Sequence, residues 1–452
     1  MAHATSAEMT AEFLGTFVLI FTLGCNVLSG NAVWGGTSIA SVYMVCIYAL
    51  GGISGANFNP AVSFALSMSK SKGAGGISFE KAAVYAGVQL VAGVTAGFAY
   101  SALFGNTFNL TPAPGFGWAH AMLAELLYTF MLCFVVLNVT VASKKQPNQY
   151  YGLAIGFVII AGSHGAGAIS GGCFNPAVAL GVDLASVGIG FGWCIPYMLV
   201  EIIGATVAVA LFKVVRPEEF GLETTPASAL VSEFLGTFML VLTVGLNVLN
   251  TSPAGAFSIA ASLMCMIYAL GDVSGAHFNP AVTLAIFASG RCSDLTPSKM
   301  FKYMASQAAG GMSAGMVYSF MQHHEVFELE PGQGFELHAA LIAEAIFTFV
   351  LCYVVLCVAV SARTSNPTFF GLAIGACVTI GGNAIGAISG GSLNPAVSLG
   401  ISWANLLAGG KFAEAIFWTA AEFMGAVAAA MVFERTHAVD FVKKSENIPL
   451  SA

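Results

Sequence analysis

Charge is what this 452-residue sequence has least of: Asp, Glu, Lys and Arg together make up 8% of it, against about 25% in an ordinary soluble domain. That shortage excludes a water-soluble fold of this length. Basic residues are scarcer than acidic ones, 15 against 22, for a net charge of -7, so there is no basic patch for a polyanion and nucleic acid drops out as a partner. The ten cysteines show no CxxC or CxxH pairing, and most lie inside apolar runs (Cys46, Cys133, Cys265, Cys352, Cys357), where a thiol acts as a small hydrophobe. Neither a disulfide framework nor a structural zinc is expected. The first nine residues lack the basic flank and small-residue cleavage site of a signal peptide, so the first apolar run is expected to stay as a span. No constellation of nucleophile and base is present, and an enzyme, a cofactor and a metal centre are not expected. What is abundant is apolar surface, 57% of residues with a mean hydropathy of +0.83. The lipid bilayer is therefore the first partner of this chain.

The same short unit is written four times. Asn-Pro-Ala occurs at Asn59-Pro60-Ala61, Asn175-Pro176-Ala177, Asn279-Pro280-Ala281 and Asn394-Pro395-Ala396, each after a Ser-Gly stretch, and Glu-x-x-x-Thr opens a span upstream at Glu12, Glu125, Glu233 and Glu344. The Glu-to-Asn gaps are 47, 50, 46 and 50 residues, and Asn59 to Asn279 and Asn175 to Asn394 are 220 and 219 apart. The chain is thus a duplication of a duplication. At about 20 residues per crossing, each quarter holds three spans, and an odd number forces alternate quarters into the membrane upside down. Spans are expected near 9–28, 36–56, 80–104, 118–141, 150–168 and 191–213, then 228–248, 256–273, 299–321, 338–361, 369–386 and 412–433. Fourteen of the fifteen Lys and Arg residues fall on the face holding both termini, with Lys411 opposite, which predicts cytoplasmic termini. The expected organisation is a first unit at 1–216, a cytoplasmic linker at 217–226, a second unit at 227–436 and a cytoplasmic tail at 437–452.

After each Asn-Pro-Ala comes an apolar segment too short to cross. Asn is a favoured N-cap and Pro a favoured first helical residue, so the tripeptide is a helix start signal. Backbone that is not helical at membrane depth is tolerated only where it is buried in protein or lines a water-filled cavity. Two inverted half-helices would bring their N-termini together, each worth about half a positive charge, with a pair of Asn amides facing one path. Such an arrangement repels cations and favours neutral solutes.

These residues resemble the aquaporin or major intrinsic protein family: the Ser-Gly-x-x-Phe-Asn-Pro-Ala-Val stretches at 54–62 and 274–282, their partners at 174–178 and 393–397, and the Glu-x-x-x-Thr openings. The likeness covers nearly the whole chain and implies an all-α polytopic membrane protein of two fused units, each with six transmembrane helices and two re-entrant half-helices in inverted repeat. Family members form four-pore tetramers, so the resemblance implies that two copies of this chain would form a pseudo-tetramer. Water-selective members carry an Arg directly after the second Asn-Pro-Ala; here Val178 and Val397 stand there. The other positions matching the family filter are Ile39, Ser163 and Gly172 in the first half and Ile259, Gly382 and Gly391 in the second. With no Arg and no aromatic group, a wide, apolar constriction is expected, open to solutes such as glycerol, urea, ammonia or hydrogen peroxide. The glycerol-conducting branch carries Arg-Asp after the second motif, where this chain has Val178-Ala179 and Val397-Ser398, which weakens that one assignment. His164, its counterpart Asn383, and Cys173 beside the motif Asn are candidates for the pore mouths, the alternative being helix and loop contacts.

Ionisable groups inside spans are costly and normally have a partner. In the family the residues matching Glu12, Glu125, Glu233 and Glu344 hold the re-entrant loops by accepting backbone N-H bonds. Gln89 and Gln307 are assigned similar bracing work, as are Glu201 and Glu422, for which a protonation-sensitive gate is the minority alternative. Asn109 and Asn250 fall in glycosylation sequons on the expected outer side. The segment at 322–338, with His323, His324 and four Glu, reads as a solvated acidic lip. The leading reading is a passive channel for water and small uncharged solutes, one pore per half. Its rivals are a membrane junction or scaffold protein with vestigial pores and a proton-linked carrier using Glu201 and Glu422.

Overall fold

The computed structural model describes residues 4–143 and 147–441. Lys144, Lys145, Lys443 and Lys444, which contribute to the charge asymmetry, and all but the first residues of the expected tail lie outside them. Within them the chain forms twelve long helices of 19 to 26 residues and four short ones of 9 to 13, with no strand. The first unit runs α1 (Ser6–Leu28), α2 (Gly35–Ser54), α3 (Pro60–Ser71), α4 (Phe79–Phe104), α5 (Trp118–Val136), α6 (Tyr151–Ser170), α7 (Pro176–Ala185) and α8 (Cys194–Val215). The second repeats it as α9 (Pro226–Leu249), α10 (Gly255–Ser274), α11 (Pro280–Ala288), α12 (Pro297–Met321), α13 (Leu337–Val355), α14 (Phe370–Ser389), α15 (Pro395–Leu407) and α16 (Ala413–Thr436).

Eleven long helices are apolar enough to cross a bilayer by composition. The twelfth, α12, is long enough but is diluted by Lys299, Lys302, Gln307 and a run of Gly, Ser and Ala. It nevertheless takes the place that α4 takes in the first unit, packed between α9 and the short α15 as α4 is between α1 and α7. The four short helices span about 14 to 20 Å at 1.5 Å per residue, roughly half the 30 Å hydrocarbon core.

The punctuation is local and legible. Thr5 and Glu8 close a capping box on α1, and Ser78 and Thr296 cap α4 and α12. The helix before each short helix stops on a Ser-Gly pair whose glycine adopts the left-handed conformation: Gly55, Gly171, Gly275 and Gly390, with φ of 87° to 93°. Glycine is needed there because a Cβ is strained at that φ. The α5 and α13 helices each widen into a π turn at their C-terminal ends, over Leu137–Val141 and Leu356–Val360.

The two units share a seam in which α5 and α6 of the first face α9, α10 and α12 of the second. The Tyr128 hydroxyl meets Thr243 Oγ1 at 2.9 Å, Ser258 Oγ donates to the Ala161 carbonyl at 3.1 Å, and Tyr150 stacks on Tyr268 with ring centroids 4.4 Å apart. Asn250 donates to the Gly165 carbonyl and accepts from Gln322, and Asn109 bonds Ser186 and Ile189. Both sequon amides are therefore engaged in packing. At one end of the seam sits Arg216, fully buried, donating to Asn138 Oδ1 at 2.6 Å, to both oxygens of Asp272 at 2.9 and 2.6 Å and to the Ala269 carbonyl. The residues after it turn through a short 3-10 helix, Pro217–Phe220, whose Phe220 ring packs on Phe212. Arg216 thus leaves the solvated face on which its charge had placed it: a guanidinium with a bidentate carboxylate and two further acceptors is satisfied inside the protein. In the segment at 322–338 His323, His324 and the four Glu are exposed, with His323 stacked on Phe116 and edge-on to His120 of the first unit.

Candidate functional site: four crossed asparagines and two cavities

Each unit builds its centre from two inverted loops. Asn59 accepts the Ala61 N-H at 2.8 Å through its side-chain oxygen, so it is the N-cap of α3 with Pro60 as first helical residue; Asn175, Asn279 and Asn394 cap α7, α11 and α15 in the same way. Capping uses only Oδ1, and the Nδ2 group is free to cross to the opposite loop. Asn59 Nδ2 donates to the Phe174 carbonyl at 2.8 Å, and Asn175 Nδ2 to the Phe58 carbonyl at 3.0 Å. In the second unit Asn279 reaches Leu393 at 2.8 Å and Asn394 reaches Phe278 at 2.9 Å. One N-H of each amide ties the two half-helices together. Each amide has a second N-H, and all four residues line a cavity.

The residue before each Asn has to turn its carbonyl toward the other loop, and it does so at positive φ: Phe58 at 51°, Phe174 at 52°, Phe278 at 48° and Leu393 at 55°. Non-glycine residues in that region cost of order 1–3 kcal/mol and persist only where their surroundings hold them. The holding group is the intramembrane Glu. Glu12 is fully buried and accepts from the N-H groups of Asn57 and Phe58 at 3.0 and 2.8 Å, from Ser54 Oγ at 2.6 Å and from Gln89 Nε2 at 2.7 Å. Glu233 repeats the set with His277, Phe278, Ser274 and Gln307. Glu125 and Glu344 accept from Ser170, Cys173 and Phe174, and from Ser389, Ser392 and Leu393. In these second loops no Gln is present; Glu201 and Glu422 accept the Asn175 and Asn394 N-H groups at 2.8 and 2.9 Å instead. A carboxylate surrounded by donors is the form of buried charge a protein tolerates.

The cavities measure about 640 Å³ in the second unit and 630 Å³ in the first. Ile39, Ser163, Gly172 and Val178 line the first, together with His164 and Cys173; Ile259, Gly382, Gly391 and Val397 line the second. Asn383 does not join them. It is exposed, and its amide turns back to the Thr379 carbonyl one helical turn earlier, so its offset of about 100° from Gly382 around α14 carries it off the cavity wall. Glu201 and Glu422 lie behind the loops and are not part of either lining. Glu328 and Glu330 line the mouth of the second cavity, where Asn109 and Leu110 line the first. Tyr43 was not singled out by the sequence. It lines the first cavity and donates to the Asn57 carbonyl at 3.0 Å, and its signal was available, four residues after Ile39 on the same face of α2.

Two sets of inverted, Asn-capped half-helices, each set enclosed by six long helices around a cavity, define a duplicated membrane bundle of internal repeats. The chain belongs to the major intrinsic protein family, whose model matches residues 2–212, 148–249 and 223–433. The probable aquaporin NIP4-2 of Arabidopsis thaliana is 33% identical over 186 residues, 38% of this chain and 62% of its own length, less than two thirds; NIP4-1 of the same plant is matched over 64% of its length. Aquaporin NIP1-4 of Oryza sativa subsp. japonica is 33% identical over 216 residues, 45% of this chain and 75% of its own, and nodulin-26 of Glycine max 34% over 214 residues, 45% and 76%. The X-ray structure of the aquaglyceroporin from Plasmodium falciparum matches 47% of this chain and 98% of its own at 20% identity, with a TM-score of 0.42.

Proposed function

We propose that the protein is a passive transmembrane channel for water and small uncharged solutes, with one path through each unit. The observation that carries this reading is the reciprocal Asn-to-carbonyl crossing in each cavity. It sets two half-helix N-termini against one another, so that two partial positive ends oppose a cation while the remaining amide N-H groups offer themselves to a neutral oxygen. Val178 and Val397 offer neither charge nor hydrogen bonds, and Gly172, Ser163, Gly382 and Gly391 occupy little volume, which favours passage of solutes larger than water: glycerol, urea, ammonia and hydrogen peroxide are the candidates. Glu201 and Glu422 are loop braces in this reading, because each accepts the N-H of a motif Asn and neither lines a cavity. The protein is not an enzyme and needs no cofactor for this work.

Both termini are proposed to face the cytoplasm, a reading the Lys and Arg distribution supports. Two chains are proposed to assemble into a four-path ring. The seam inside one chain joins α5 and α6 to α9 and α10; the corresponding faces on α1 and α2 and on α13 and α14 expose Leu14, Val45, Ile53, Ile342, Ile346 and Ile380, and a two-fold axis would bring them together as two further seams.

The test is stopped-flow light scattering on proteoliposomes in a panel of osmolytes. Water and at least one of the uncharged solutes are expected to cross without saturation and without response to a pH gradient. Liposomes no leakier than protein-free ones would favour the scaffold, and saturable flux driven by a pH gradient would favour the proton-linked carrier. The double variant Val178→Arg, Val397→Arg is expected to lower the ratio of solute to water permeability by about tenfold, the effect of roughly 1.4 kcal/mol on one barrier. An unchanged ratio would contradict the open filter.

A further inference from the structure

Behind the second loop of the first unit, three groups from three elements converge. Glu125 of α5, Cys173 of the loop and Glu201 of α8 place a carboxylate oxygen, a sulfur and a carboxylate oxygen all within 4.8 Å of one another, and all three residues are buried. We infer that these residues form a site for one thiophilic divalent cation of the Zn²⁺ or Cd²⁺ kind, on the wall of the first cavity. An independent observation points to a ligand there. Glu201 is fully buried, its Oε1 accepts the Asn175 N-H, and its Oε2 has no neighbour to pair with except the Cys173 thiol, which donates to the Asn175 carbonyl instead. A buried carboxylate oxygen left without a donor costs of order 1–3 kcal/mol or more, and a cation would satisfy it.

The remaining lone pairs suffice. Glu125 Oε1 accepts from Ser170 Oγ and the Cys173 N-H, whereas Oε2 accepts only the Phe174 N-H and keeps one lone pair. The Cys173 thiol donates to the Asn175 carbonyl at 3.3 Å, and that proton is the one a metal replaces: the S-H bond is lost, a metal-sulfur bond forms, and the proton leaves to solvent. Tetrahedral Zn²⁺ with bonds of about 2.0–2.3 Å holds its ligand atoms roughly 3.5 Å apart, so a contraction of about 1 Å closes the set. Cys173 also lines the cavity, which gives an ion an entry path and leaves the fourth position to water. The mixed thiolate and carboxylate donors select Zn²⁺ or Cd²⁺ over Mg²⁺, which demands oxygen ligands in an octahedron. Sequence alone hid the site because its members are 48 and 28 residues apart, with none of the close spacings that mark a zinc motif.

The second unit is a built-in control. It keeps both carboxylates, Glu344 and Glu422, and Glu422 Oε2 is likewise without a partner, but Ser392 stands where Cys173 is, and its hydroxyl pairs with Ser398 Oγ at 2.7 Å. The experiment is equilibrium dialysis of the purified full-length chain against Cd²⁺ in excess Mg²⁺, with the ultraviolet sulfur-to-cadmium charge-transfer band as a second readout. One high-affinity Cd²⁺ per chain is expected, weakening as the pH falls. Cys173→Ser installs the residue the second unit already accommodates, and Glu201→Gln removes the charge at that oxygen while keeping the thiol. Each is expected to weaken binding by about a hundredfold or more, beyond what loss of an outer-sphere partner costs. Ser392→Cys is expected to add a second ion. The inference is overturned if the wild-type chain binds no more tightly than Cys173→Ser, or if Glu201→Gln leaves affinity and band unchanged, which would mean a thiol acting alone. Because binding is read directly, neither result depends on whether the chain conducts.

Discussion

At the scale of single residues, the four motif asparagines each do two jobs with one amide. The oxygen caps a half-helix, and one N-H crosses to the carbonyl of a residue held at positive φ by a buried Glu. Aspartate keeps the first job and loses the second. At Asn175 and Asn394 the substitution to Asp removes the donor to Phe58 and Phe278 and puts a negative charge where two positive helix ends meet. The expected outcome for the double variant is a cation leak: reconstituted vesicles under a potassium gradient should depolarise a potential-sensitive dye many times faster than wild type. The carboxylate offsets about one charge of half-helix dipole. An unaltered leak would show that the asparagines do not set the charge barrier. The same loops explain why the carboxylates are spread over four separate places. Each brace can hold only one loop's pair of N-H groups, so the duplication of loops demands the duplication of Glu.

At the scale of elements, the half-helices are positioned by glycine. A Cβ on Gly93 of α4 would run into the Ala177 carbonyl of α7, and one on Gly311 of α12 into the Ala396 carbonyl of α15; Gly97 and Gly315 stand likewise against Gly181 and Gly400. These contacts are backbone, which cannot rotate away. Gly93→Val is therefore expected to push α7 outward, with an overpacking cost of about 1–3 kcal/mol. Thermal unfolding in detergent should fall by several degrees, and the loss should be far smaller for Gly87→Val, where a Cβ meets nothing within 4 Å. Equal losses at the two sites would deny Gly93 its special role. Elements were largely legible in the sequence: the expected spans at 80–104, 118–141 and 256–273 lie within a few residues of α4, of α5 with its π turn, and of α10, because apolar runs, Ser-Gly stops and Asn-Pro starts are local signals. Contacts between distant elements were not. Arg216 read as a charge on the cytoplasmic face because nothing near it in sequence announces Asn138 or Asp272, and Asn383 read as a mouth residue because a spacing argument resolves position along a helix better than direction around it.

At the scale of the whole molecule, duplication has produced two units with similar backbones and different linings. The second cavity runs from Glu328 and Glu330 past Asn279 and Asn394 to Cys292, Val360 and Phe370, so its wall includes residues from both ends of the unit. The lining of the first passes Asn109, Ser163 and Val178 and reaches Asn59, Leu132 and Tyr43. Leu263, 220 positions after Tyr43, lines the second cavity. A tyrosine whose hydroxyl is tied to the Asn57 carbonyl and whose ring lies edge-on to Phe58 is a stiffer and longer obstacle than a leucine. It stands just inside the asparagine pair. If each unit offers one path, the first is the narrower at this level and the second carries most of the flux. Tyr43→Leu is then expected to raise the water permeability of reconstituted vesicles, up to about twofold if it makes the two paths equal, and Leu263→Tyr to lower it, since hydrophobic constrictions control passage by a side chain's width. Tyr43→Leu also frees the Asn57 carbonyl, so a control is needed: Tyr43→Phe keeps the ring, removes the hydrogen bond, and should leave permeability near wild type. A rise with Phe equal to that with Leu would assign the effect to the bond and its loop, and no change with either would mean that Tyr43 is not what narrows the first path.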